Sequence, residues 1–413
     1  MTLTNMKRYL LFYISILFSA NCLSQANTWV QKTSLPAAAR NGAVSFSINN
    51  KGYVGTGRDS TGNLLNDFWQ YDPSIDTWKQ VAAFAGSARI NAVAFVVNGF
   101  GYVGTGYDGG SNLTDFYKYD PASNIWSQVD SMDKYSAAVG RREASSFSVG
   151  SQGYVVGGYD GTSNYNNETW KYDESDSITW TQMRVFPSNG RKWGVGFTIQ
   201  QYGFAGMGYD YTSIYWNDLW KYDTLLNTWT QMANYPGSAR GNAVAFTVGD
   251  NAFVGTGFDG VYKNNFFVYN YSANEWSQIA DFSGGATSGA VAFSIGGNGY
   301  VCCGKDSVHY KNELWEYIAD STLGINNVDP PGFLMDIFPN PVKGELNIFF
   351  TSKTTSSYLI LMDGSGRIVW VQYLGNIVED THRTISVKEL AKGIYNLHLK
   401  TSATVITKSF IIE

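Results

Sequence analysis

Five arginines recur at one position of this 413-residue chain, Arg40, Arg89, Arg141, Arg191 and Arg240, each followed at one constant interval by Asp59, Asp108, Asp160, Asp210 or Asp259. A sixth copy keeps Asp306 and has Thr287 in place of arginine. Guanidinium groups gathered around one opening would capture an acidic ligand through charge-assisted hydrogen bonds. The same groups facing the aspartates would instead tie loops together, although exposed pairs contribute only about 0.2 to 1 kcal/mol. Aromatic residues that break the repeat suggest a different chemistry. Trp193 stands where the other copies have Gly42, Asn91, Glu143, Asn242 and Gly289, and the fourth copy alone carries Tyr211, Tyr215 and Trp216 in its loop. With Tyr165 and an insertion around Tyr135, these aromatics would stack on sugars or anchor a protein partner, or else pack on one another. For proton transfer, whose acid and base residues leave little trace in a sequence, the candidates are Glu143, Arg141 and Arg142.

The elements that carry these residues repeat six times. Trp29, Trp78, Trp126, Trp180, Trp229 and Trp276 recur at nearly even intervals along the chain. Each is followed by an alternating segment such as SARINAVAF, a glycine-rich segment such as GYVGTGYD, and a third apolar segment such as NDLWKYD. That pattern predicts four short strands per repeat, and four-stranded units repeated radially make a propeller. The constant interval from arginine to aspartate fixes one register for the inner hairpin. Both residues then come out on the same face of the ring, at one mouth of its channel. The sixth unit ends without a tryptophan strand, whereas Trp29 precedes the first unit. Residues near Thr28 to Lys32 are therefore expected to complete the last blade and leave no open edge.

The glycine-rich second strand, the tyrosine of the third and the tryptophan of the fourth resemble kelch repeats over residues 27–320. Gly157-Gly158 is the one copy of that family's double glycine, so the resemblance is to a divergent branch. In other kelch propellers arginines at the start of the inner strand line a mouth that receives acidic ligands, which the resemblance implies for the five arginines here. Copper oxidases of the galactose oxidase kind are excluded, because they need two histidines at the metal and the repeats contain His309 alone. No zinc-type spacing, phosphate-cradling glycine loop or sialidase-type Asp box is found.

Beyond residue 320 the repeat stops, and ADSTLGINNVDPPG reads as a linker. The set that follows, FPNP, GELNI, DGSGR, LAKGIYNL and a lysine-containing last strand, is similar to the C-terminal sorting domain of type IX secretion substrates, here over residues 333–413. Such domains, by resemblance, carry folded cargo across the outer membrane of Bacteroidota-type bacteria. At the other end, Lys7 and Arg8 precede a short apolar run, and Ser24 and Ala26 are placed for a cut before Asn27, as in an export signal. Cys22 raises a lipoprotein alternative. Once that segment is removed only Cys302 and Cys303 remain, and adjacent cysteines cannot staple distant parts of a fold. They are expected to act as small apolar side chains in an inner strand, with a reactive thiol pair as the alternative. The net charge of −5 gives no electrostatic reason to expect nucleic acid as a partner.

The sequence thus predicts an all-β protein: a signal peptide over 1–26, a six-bladed kelch-type β-propeller over 27–320, a linker over 321–332 and a small C-terminal β-sandwich over 333–413 that engages the type IX machinery. Its expected role is a non-catalytic binding module for glycans or proteins, secreted or on the cell surface, with no cofactor, no metal and no transmembrane segment. Ligand contacts are expected from Trp193, Tyr211, Tyr215, Trp216, Arg40, Arg89, Arg141, Arg191 and Arg240. The alternative is a carbohydrate-acting enzyme of the mutarotase or lyase type.

Overall fold

A computed structural model describes residues 27–134, 138–162, 164–319, 335–350, 354–363, 368–378, 381–400 and 405–413. The expected export signal with Cys22, the insertion residue Tyr135 and the linker at 321–332 lie outside the described residues.

Residues 27–319 form six antiparallel sheets, each built on four main strands. Their inner strands are Val44–Ile48, Val93–Val97, Ser145–Val149, Val195–Ile199, Val244–Val248 and Val291–Ile295, each packed against the next and the last against the first. Alternation decides this packing. Val44, Phe46 and Ile48 are buried, while the small Ser45 between them sends its hydroxyl to the Ala292 carbonyl of the neighbouring inner strand at 2.9 Å. A glycine early in the second strand makes room for the phenylalanine of the preceding blade. A Cβ on Gly101 would lie 2.5 Å from the Phe46 ring, and one on Gly153 would lie 2.2 Å from Phe95. The GYV motif of the sequence therefore marks a blade-to-blade contact.

The ring closes as expected. Thr28–Lys32 pairs with Leu314–Ile318, with Thr28 opposite Ile318 and Lys32 opposite Leu314, and so supplies the outer strand of the sixth sheet. Each repeated tryptophan donates its indole N–H to a backbone carbonyl of the preceding blade: Trp126 to Ala82 at 3.1 Å, Trp180 to Asp130 at 2.9 Å, and Trp29 to Ala280 at 3.1 Å. A second tie recurs beside it. The Asn124 carboxamide oxygen accepts the Tyr119 hydroxyl and the Ala82 N–H, and Asn27 does the same with Tyr317 and Ala280. Asn27 and Trp29 thus repeat, between blades five and six, the contacts that hold other blade pairs. Cys302 ends the second strand of the sixth blade, not an inner strand, and Cys303 follows it; both are buried thiols with their Sγ atoms 3.1 Å apart.

The C-terminal region is a β-sandwich. One sheet contains Met335–Phe338, Glu345–Phe350 and Thr381–Ser386, and the other contains Ile368–Ile377, Thr354–Asp363, Gly393–Lys400 and Val405–Ile412. Alternate residues of the facing strands, among them Leu346, Ile348, Leu359, Leu361, Leu397 and Leu399, make its core. No helix among the described residues is long and apolar enough to cross a membrane.

Candidate binding site

Just before each inner strand the chain takes one residue in the left-handed region: Gly42, Asn91, Glu143, Trp193, Asn242 and Gly289, with φ between 54° and 65°. This conformation aims each N–H at the carbonyl of the equivalent residue one blade back. The result is a closed circle of bonds from Asn91 to Gly42, Glu143 to Asn91, Trp193 to Glu143, Asn242 to Trp193, Gly289 to Asn242 and Gly42 to Gly289, at 2.8 to 3.3 Å. These six residues ring a recess at the mouth of the channel. Glycine and asparagine suit the left-handed region, whereas a glutamate or tryptophan there costs on the order of 1 to 3 kcal/mol.

Around this circle the hairpins add two further tiers. Arg142 lies opposite Tyr159 and Lys192 opposite Tyr209, while Tyr159 and Tyr209 face Tyr165 and Tyr215 on the other side. The rings touch in sequence: Trp193 to Tyr209 at 5.9 Å, Tyr209 to Tyr215 at 4.8 Å, Tyr209 to Tyr165 at 6.4 Å and Tyr165 to Tyr159 at 5.1 Å between centroids. Trp193 leans over Gly241 of the fifth blade, where a Cβ would come within 3.0 Å of it. Two cations are set into this aromatic arc. Lys192 Nζ is 3.9 Å from the Trp193 ring and 3.2 Å from Glu143 Oε2, and the Arg142 guanidinium lies between Tyr107 and Tyr159 at 4.7 and 5.1 Å. Asn91 donates to Glu143 Oε1 at 2.9 Å, so the carboxylate is held from three sides.

Residues 13–158 match the KLHDC2/KLHL20/DRC7 Kelch-repeats domain, and residues 336–413 match the secretion system C-terminal sorting domain. The chain thus carries kelch repeats and a secretion sorting domain on an all-β, propeller-like fold. A solved structure titled "Structure of YjhT" superposes with a TM-score of 0.56 at 16% identity, over 68% of this chain and 96% of that one, and so shares the fold. No curated protein matches the sequence. The sorting domain indicates export by type IX secretion and contact with its machinery.

The kelch arginines do not line the mouth, which corrects their assignment as ligand contacts. Arg40, Arg89, Arg141, Arg191 and Arg240 are at most 5% exposed. Nor do they pair with the aspartates that follow them at the constant interval. Arg40 forms a two-pronged bond with Asp67 at 2.6 and 2.8 Å, Arg89 does so with Asp115 at the same distances, and Arg141 and Arg191 meet Glu168 and Asp218. Arg240 meets the neutral Asn265 at 2.7 Å, and burial pulls its pKa below the ordinary arginine value. In the sixth blade Lys311 reaches the Gly284 carbonyl and the Thr287 hydroxyl, filling the gap left by the missing arginine. The aspartates instead close their own loops: Asp59 accepts the N–H groups of Thr61 and Asn63, and Asp108 those of Gly110 and Ser111.

The four predicted aromatics also divide. Trp193 and Tyr215 join the arc. Trp216 lies against the buried Arg191 at 5.0 Å and donates to Asp210, so it belongs to the scaffold; Tyr211 is 63% exposed, apart from the ring contacts of the arc. Tyr107, Tyr159 and Tyr209 are mouth residues that the sequence did not single out, because they recur within GYD and looked like scaffold.

The carboxylates of this face predict the acid response. Burial acts to raise the pKa of Asp210, but hydrogen bonds from Asn189, Thr212 and Trp216 outweigh it and hold the group at about 2. Asp67 is likewise lowered, with burial opposed by Arg40. A folded-state pKa below the unfolded value adds stability that is complete above the ordinary carboxylate range and is lost as pH falls through the folded value. Scanning calorimetry should show a flat melting midpoint from about pH 8 to 5 and a steep fall between about pH 4 and 2, and Asp210→Asn should remove part of that fall.

Proposed function

We propose that this protein is a non-catalytic kelch binding module that takes a glycan or a protein at the aromatic mouth of blades three and four, on the cell surface or released from it. The observation that carries the reading is Trp193. A bulky residue in the left-handed backbone region works against stability, and four of the five equivalent positions are filled by glycine or asparagine. Its presence is accounted for by the flat apolar face it adds beside Tyr209 and Tyr215. The test is Trp193→Gly, examined by calorimetric binding and thermal unfolding together. Affinity for a bound glycan or partner should fall by about 1 to 3 kcal/mol, while the melting midpoint holds or rises, because glycine relieves about 1 to 2 kcal/mol of left-handed strain. A lower midpoint with unchanged affinity would make Trp193 a packing residue.

Glu143 favours a second reading, as a proton-transfer group of a carbohydrate-acting enzyme. Its side chain is 8% exposed at the rim of the recess, flanked by Lys192 and Arg142. Turnover of a sugar that survives Trp193→Gly and is abolished by Glu143→Gln would establish that reading in place of the first.

A further inference from the structure

The two halves of the mouth differ in the side chains of their second tier. The second tier contains Arg58, Tyr107, Tyr159, Tyr209, Phe258 and Lys305, one from each blade in the same register. Blades two to five thus present an aromatic side chain there, and blades one and six present a cation. These two cations flank the seam at which the ring closes. Between blades two and three, Arg142 sits between Tyr107 and Tyr159; between blades six and one, the same three positions are Asn41, Lys305 and Arg58. Asn41 pairs with Arg58 and Ser288 with Lys305, and the Gly42 N–H to Gly289 carbonyl bond at 3.0 Å stitches the two hairpins together.

Arg142 and Lys192 answer the Glu143 carboxylate, but Arg58 and Lys305 have no ion pair among the described residues; Lys305 lies 5.8 Å from the Tyr310 ring. The nearby acids are engaged elsewhere. Asp59 takes four hydrogen bonds from Thr61 and Asn63, and Asp306 takes the N–H groups of Val308 and His309 with Lys311 at 3.6 Å. Lys311 is itself occupied by the Gly284 and Ala286 carbonyls. Both free cations are half-buried, so screening by solvent and salt is weaker than at an open surface. The amide oxygen of Asn41, the residue opposite Arg58, is buried without a donor, and turning that amide toward a ligand hydroxyl would satisfy it.

We infer that Arg58 and Lys305 form an anion-binding subsite, and that the mouth takes an acidic glycan, its carboxylate or sulfate at the seam of blades six and one and a sugar face against Trp193 and Tyr209. This deepens the binding reading and rests on it. An acidic peptide fits less well. Apart from Trp193 the recess is lined by glycine, alanine, asparagine and glutamate, which offer no cluster of large apolar side chains around the anchor residue that protein interfaces use. Flat aromatic faces with an unmatched amide suit the C–H face and hydroxyls of a sugar.

The experiment is titration calorimetry of the full chain with tetragalacturonate, a chondroitin sulfate tetrasaccharide and neutral cellotetraose, on wild type, Arg58→Gln/Lys305→Gln and Trp193→Gly. At least one acidic probe should bind about 10-fold or more tighter than cellotetraose, and the double variant should erase that preference. The probe that loses affinity separates carboxylate from sulfate recognition. Raising salt should weaken the acidic probe in wild type and not in the double variant. Equal binding of neutral and acidic probes, sensitive to Trp193→Gly but not to the double variant, would overturn the anion subsite and leave the binding module standing. Absence of binding to all three, or binding indifferent to Trp193→Gly, would overturn both.

Discussion

A chain lacking residues 27–34 will lose the outer strand of its sixth blade and should fail to hold a closed ring. The strand Leu314–Ile318 would keep its bonds to Asn298–Cys302 on one side and present an unpaired edge on the other, a ready template for association. Trp29 is the one buried residue of this segment. It is 6% exposed and packs at 4.9 Å on Phe266 and on Phe282, at 6.3 Å on Phe246 and at 5.1 Å on Tyr317, so it joins blade five to blade six. Trp29→Ala should cost about 3 to 5 kcal/mol, as should Trp126→Ala in the equivalent site, and lower the melting midpoint by roughly 10 °C. Such a loss is a large share of the stability of a typical folded domain, which is about 5 to 15 kcal/mol. An unchanged midpoint in the deletion, followed by calorimetry, would show that the ring is held shut by other contacts.

The second large effect belongs to the buried arginines. Asp115→Ala should cost about 3 to 5 kcal/mol, because it leaves the Arg89 guanidinium fully enclosed with only the Ser87 and Thr105 carbonyls and the Ser87 hydroxyl for partners. Asp115→Asn should be milder. The fifth blade already shows the solution, since Asn265 holds Arg240 at 2.7 Å without a charge. Replacing both partners by apolar residues of similar volume, Arg89→Met with Asp115→Leu, should recover much of the loss, because no buried charge is then left unpaired. Denaturant unfolding of the four proteins checks the order. If Asp115→Ala were no worse than Asp115→Asn, the pair would contribute little to folding. None of the three variants should change ligand affinity, since Arg89 does not reach the mouth.

These arginines also show where inference from spacing stops. A constant interval between arginine and aspartate identified a rigid hairpin, and that reading holds: Arg40 lies opposite Asp59 and Arg191 opposite Asp210 in the backbone register. Opposite backbone positions do not imply touching side chains. The partners are Asp67, Asp115, Glu168 and Asp218, which lie further along the chain, at or just before the third strand. An arginine is long enough to pass the neighbouring strand, and only the packed blade decides which carboxylate meets it.

What the sequence determined by itself was whatever is repeated: strand order, the inward alternation of large and small residues, the tryptophan contacts and the use of the first strand to finish the last blade. Periodicity exposes these because each blade must meet its neighbour with the same shape. The C-terminal sandwich was legible for a related reason, as its alternating strands separated by glycine turns leave one face to bury. What the tertiary structure decided was the chemistry of the mouth. The sequence found Trp193 and Tyr215 as departures from the pattern, but missed Tyr107, Tyr159 and Tyr209 because they follow it, and missed Arg58 and Lys305 because nearly the whole propeller separates them along the chain. The physical reason is the closure of the ring. It brings the first and last repeats edge to edge at the Gly42 to Gly289 bond, so Arg58 and Lys305 take equivalent positions on adjacent blades.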